Sequence, residues 1–118
     1  MTLTKFEQSA LSRFLKSEGF TICDNLSQIK ITDRYLTGKG FITELMPNHL
    51  HVLNGPSSFR GGHVGATING NLEVGFLFFI KKGYVDAIEC YTYGEEWPSE
   101  IKTFDFYLID YSTGQKEN

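Results

Sequence analysis

The chain has little of what usually announces chemistry or export. Its 118 residues hold two cysteines, Cys23 and Cys90, far apart. That spacing makes neither a disulfide framework nor a metal-ligand pair. Both thiols are expected to stay reduced and buried as small apolar groups in a cytoplasmic protein. There is no basic excess: 11 lysines and arginines stand against 14 carboxylates. A generic nucleic-acid binder carries the opposite balance, so no direct nucleic-acid partner is expected. The longest apolar run, Val74 to Ile80, is far too short to span a bilayer, and no membrane partner is expected. The N-terminal MTLTKFEQSA lacks a signal peptide's continuous apolar stretch, because Glu7 interrupts it. Phosphate cradles are missing too. Gly38-Lys39-Gly40 is followed by no helical pattern, Gly61-Gly62 reads as a turn, and no serine sits in a nucleophile elbow. No cofactor is expected. The length excludes kinases, TIM barrels and two-domain dehydrogenases.

What is present reads as one domain over 1–118, large enough to bury about two thirds of its surface. Thr4 and Glu7 form a capping box. Leu3, Phe6, Ala10, Leu11, Phe14 and Leu15 then follow helical spacing up to the stop at Gly19, which predicts a helix over about 4–18. Strand patterns fill about 20–111. Gln28–Tyr35 and Gly40–Leu45 flank a hairpin connection at Thr37-Gly38-Lys39, and His49–Leu53 reads as a short edge strand. Val64–Ile68 and Val74–Ile80 flank Asn69-Gly70-Asn71, and the second run reads as a central strand covered on both faces. Tyr84–Tyr93 and Thr103–Tyr111 follow, and a polar tail over 112–118 is expected to fray. The fold class is α+β: an N-terminal helix packed on a curved, mainly antiparallel sheet of six or seven strands.

Three groups of residues carry candidate chemistry. His49, His51 and His63 offer three imidazoles for a metal, which would make the protein a small metal-dependent hydrolase. Glu89 stands in an apolar strand, sharing a face with Val85 and Ala87; it lies either at the solvent face of the sheet or paired inside, and Arg34 is its natural candidate partner in a structural ion pair. The third group is acidic. Residues 84–110 hold seven carboxylates against Lys102 alone, while residues 1–83 hold nine basic and six acidic groups. Within the acidic part, Glu89 to Pro98 puts Tyr91, Tyr93 and Trp97 among three glutamates. Tryptophan and tyrosine anchor interfaces, and rim charges choose partners. Trp97-Pro98 can equally pack back and close a corner of the sheet. A small-ligand site in the concave sheet is a further alternative.

Two motifs also carry a resemblance. Tyr35-Leu36-Thr37-Gly38-Lys39-Gly40-Phe41, and Ile88 to Pro98 with its Tyr-Thr-Tyr-Gly and Trp-Pro elements, together with Gly75-Phe76 in an apolar strand, resemble a family of small bacterial proteins. That family is similar to immunity proteins encoded beside polymorphic toxins, including those of contact-dependent growth inhibition. The resemblance covers about residues 28–105, with departures at Lys39 and Cys90. It implies a cytoplasmic, non-catalytic protein that binds one cognate basic toxin domain, a nuclease, and covers its active-site cleft. Tyr93, Glu95, Glu96, Trp97, Glu100, Asp105 and Asp110 are the expected contacts.

Overall fold

The computed structural model describes residues 1–19, 26–47, 58–110 and 112–117. Helix α1 runs Lys5–Ser17, one residue inside each expected end. Glu7 N–H donates to Thr4 Oγ1 at 3.1 Å, and Thr4 N–H donates to Glu7 Oε1 at 2.8 Å, so the capping box is closed. Gly19 stops the helix with φ 84°, a conformation other residues adopt at a cost. A 3-10 turn at Leu26–Gln28 leads into the sheet.

Seven antiparallel strands follow: β1 (Ile31–Leu36), β2 (Gly40–Leu45), β3 (Ser58–Ile68), β4 (Leu72–Lys81), β5 (Tyr84–Thr92), β6 (Phe104–Ile109) and β7 (Lys116–Glu117). They lie in the order β1-β2-β5-β4-β3-β6-β7, so β4 is central as expected. Two expectations change. Residues 112–118 were expected to fray, yet Lys116 pairs with Ile109 and adds a short strand to β6. Gly61-Gly62 is not a turn but lies inside β3, where the pairing with β4 shifts between Gly61 and Gly65. Glycine within a strand accommodates such a bulge. The expected strand at His49–Leu53 lies outside the described residues.

α1 covers one face of the sheet. Phe6 meets the rings of Phe41, Phe76, Phe104 and Phe106 at centroid distances of 5.2–6.4 Å. Phe14 stacks on Phe78 at 4.2 Å. Truncating one such buried ring costs about 3–5 kcal/mol. Glu7, Arg34 and Thr43 tie the helix to the sheet. Arg34 Nη2 and Nε donate to Glu7 Oε1 and Oε2 at 2.5 and 3.1 Å, and the Thr43 hydroxyl donates to Oε2. Glu7 is 1% exposed, and these donors satisfy a carboxylate that burial would otherwise penalise.

The other face of the sheet is not covered by the helix. Val74, Phe76, Phe78 and Ile80 point into the core, while Leu77 and Phe79 are half-buried on the far side. The expectation of a strand covered on both faces therefore holds for only one of them. The apolar run made the two faces of β4 look alike in the sequence.

Candidate protein-docking face

Alternation along each strand, combined with the cross-strand register, identifies the residues of the outer face. One row crosses five strands as Gly40, Tyr91, Gly75, Gly65 and Tyr107. The tyrosine rings lie down over the glycines. A Cβ at Gly65 would stand 2.6 Å from the Tyr107 ring, and one at Gly75 would meet Tyr91 at 2.6 Å and the Tyr93 hydroxyl at 2.8 Å. The glycines thus let aromatic rings fold flat onto a sheet that a standing side chain would keep apart.

Carboxylates stand in the rows on either side. Glu73 is opposite Thr67, and Thr67 is opposite Asp105. On the other side, Glu89 is flanked by Ile42 and Leu77, and Glu44 lies between Asp33 and Ala87. Among the described residues, Lys81 and Lys116 are cations on this side. Glu73 takes a hydrogen bond from the Tyr107 hydroxyl at 2.7 Å, one from Thr67 Oγ1 at 2.6 Å, and an ion pair from Lys116. Burial raises the Glu73 pKa, but these three donors outweigh it and hold the carboxyl at about 2. Burial, followed by the same contact with Glu73, pushes the Tyr107 phenol up. Tyr35 is raised to about 12, first by its hydrogen bond to Glu44 and further by the charge of Asp33. Among the described residues of this face, Glu73 is the one carboxylate in an ion pair.

The expected contact residues are distributed over several places. Tyr93 is 60% exposed at the end of β5, with its ring edge-on to Tyr91 at 5.7 Å. Glu95 and Glu96 are exposed in the connection that leaves β5. Asp105 is exposed on the outer face. Trp97 turns the other way: half-buried, it packs edge-on against Phe41 at 5.4 Å and belongs to the core. Its backbone N–H donates to the Gly38 carbonyl at 3.1 Å, so Trp97 closes a corner of the sheet. Glu100 is exposed, and its carbonyl accepts from Asn69 Nδ2 at 2.9 Å. Asp110 lies past the far end of β6, whose six residues span about 20 Å at ordinary strand rise. There it accepts from Ser112, which lowers its pKa. The acidic stretch of the sequence is therefore not one patch, because β6 carries its two ends apart.

The expected Glu89–Arg34 pair does not form. Arg34 is opposite Thr43 on the helix side, whereas Glu89 faces outward beside Ile42 and Leu77. Val85 does not share the face of Glu89 either. An irregularity between Phe79 and Ile80 shifts the pairing of β5, leaving Val85 buried in the core while Ala87 and Glu89 face outward. His49 and His51 lie outside the described residues. His63 is in β3, with Nε2 2.8 Å from Ser17 Oγ. Among the described residues, no three histidine, cysteine or carboxylate side chains cluster to hold a metal. Cys90 is buried, which pushes its thiol pKa up, as expected for an inert core cysteine. Cys23 lies outside the described residues.

Glu73, Tyr107, Tyr35, Glu44, Asp33 and Lys116 complete the face, and none stood out in the sequence. Asp33, Tyr35 and Glu44 share one hairpin, but strand order alone brings that hairpin, Glu73, Tyr107 and Lys116 onto one sheet. No protein-family model, curated protein or solved structure matches the chain. Among the described residues, no helix is long and apolar enough to cross a membrane.

Proposed function

We propose that the protein is a binding module that neutralises a cognate basic toxin domain, a nuclease, by laying its outer sheet face into the toxin's substrate cleft. One observation carries this reading: the outer face joins Asp33, Glu44, Glu73, Glu89 and Asp105 with tyrosines 35, 91, 93 and 107 across adjacent strands. Tyrosine supplies rigid contact area, and the carboxylates mimic the charge of a nucleic-acid backbone. The groove along the exposed side of α1 has the opposite sign, being lined by Lys5, Arg13 and Lys16. A basic partner is therefore attracted to one side of the molecule and repelled from the other. The resemblance to immunity proteins supports a toxin as the partner.

The test is co-expression with the toxic domain encoded beside this chain, read by growth rescue and by co-purification. The wild type is expected to rescue growth and to elute in a one-to-one complex. Charge reversal of Glu44 and Glu89 together, each to Lys, is expected to slow association at least tenfold at low salt and to abolish rescue. A doubly reversed protein that still protects and binds at the wild-type rate would remove the outer face as the docking surface. An active toxin that is neither bound nor neutralised by the wild type would remove the immunity role.

A further inference from the structure

A cavity of about 400 Å³ opens at the end of the outer face, lined by Asn71, Leu72, Glu73, Tyr93 and Glu95. We infer that this cavity is a socket for an arginine side chain of the basic partner. The inference rests on the docking role proposed for the outer face, and it names where one side chain of that partner lands.

The chain itself shows the chemistry beside Glu73. Lys116 Nζ sits 4.5 Å from the centroid of the Tyr107 ring while pairing with the Glu73 carboxylate. A cation is thus held between a tyrosine face and a carboxylate, the combination that favours cation–π binding. The cavity repeats those components with Tyr93 and Glu95, and none of its lining residues is basic. Both walls are held in place. Tyr93 is braced edge-on by Tyr91 at 5.7 Å. The Glu95 backbone is fixed through its carbonyl, which accepts from the Thr92 hydroxyl. Glu73 is oriented by Thr67 and Tyr107 at 2.6 and 2.7 Å. A guanidinium suits this socket better than an ammonium, because its plane stacks on a ring while its edges donate to two carboxylates.

Titration of hexa-arginine into the 15N-labelled protein tests the socket. The largest amide shifts are expected at Asn71–Glu73 and Tyr93–Glu95. Tyr93→Leu, which keeps apolar bulk and removes the phenol ring, and Glu95→Gln are each expected to weaken binding about three- to fivefold. Glu96→Gln, one position outside the cavity, is expected to change it less than twofold. Shifts centred elsewhere, or an equal loss from Glu96→Gln, would show general charge attraction and overturn the socket. The same variants then enter the toxin complex. If reversal of Glu44 and Glu89 abolishes that complex while Tyr93→Leu and Glu95→Gln leave it intact, the socket is wrong and the docking face stands. If none of the four changes matters, both are wrong.

Discussion

Gly40 and Gly75 sit in similar Gly-Phe strand motifs and in the same row of the sheet, yet they serve different ends. A Cβ at Gly40 would lie 1.9 Å from the Cys90 carbonyl oxygen, which belongs to the backbone of the neighbouring strand. A Cβ at Gly75 meets the outer ends of two tyrosine side chains at 2.6–2.8 Å. Backbone cannot yield without disturbing the β2–β5 ladder, whereas tyrosine rings can swing outward. Gly40→Ala is therefore expected to lower stability by about 3 kcal/mol, and Gly75→Ala by about 1 kcal/mol, in urea denaturation. Equal losses would show that the two glycines do the same work. Glycine inside a strand marks a bulge or a close approach, and the structure shows what approaches at each of these two.

Glu73 sets a pH dependence at the same scale. Its carboxyl titrates at about 2 in the fold against an ordinary 4.5. A lowered folded pKa means its contribution is complete above about 4.5 and disappears as the pH falls toward 2. Lys116→Gln removes the charged donor among the three. The Glu73 pKa, followed by NMR of its carboxyl carbon, is expected to rise, and the acid loss of stability to begin at higher pH. An unchanged Glu73 titration in this variant would show that Lys116 does not hold the carboxylate in solution.

At the scale of elements, the helix–sheet contact combines aromatic packing with one buried polar network. The capping box that starts α1 uses the same carboxylate that receives Arg34 and Thr43 from the sheet. Local helix formation and docking of the helix are thereby linked through Glu7. Arg34→Met keeps much of the side-chain volume but leaves Glu7 as a buried charge without its cation. A loss of about 3 kcal/mol in thermal or urea unfolding is expected. A neutral result would mean that Glu7 reaches water or another donor at little cost. The capping box and the helix limits were legible in the sequence because they depend on neighbours three or four positions apart. Arg34 as the partner was not: the sequence pointed Arg34 to Glu89, and strand order puts those two on opposite faces.

The connection between β5 and β6 shows the same division. Asn69-Gly70-Asn71 was recognisable as a hairpin, and Asn69 takes the left-handed φ of 54° that such a turn requires. Its side chain also accepts from Lys102 N–H at 2.7 Å and donates to the Glu100 carbonyl at 2.9 Å. One turn residue therefore anchors the long crossing that carries Trp97 and Ile101 against the core.

Across the whole molecule, charge is sorted by side. Cations line the groove of α1, and carboxylates gather among tyrosines on the far side of the sheet. The sequence alone determined what depends on near neighbours: the helix and its cap, the paired strands around Gly38 and Gly70, the buried cysteine, and the α+β class. It also showed an acidic second half, with Tyr93 and Glu95 among its residues. Only the tertiary structure decided which carboxylates share a surface. Alternation assigns each strand two faces but leaves open which strand lies beside it, and an irregularity such as the one in β5 reverses the parity within a strand. The order β1-β2-β5-β4-β3-β6-β7 therefore joined Asp33 and Glu44 to Glu89, and Glu73 to Asp105. It also turned Trp97 inward and separated Asp110 from the acidic group it belonged to in sequence.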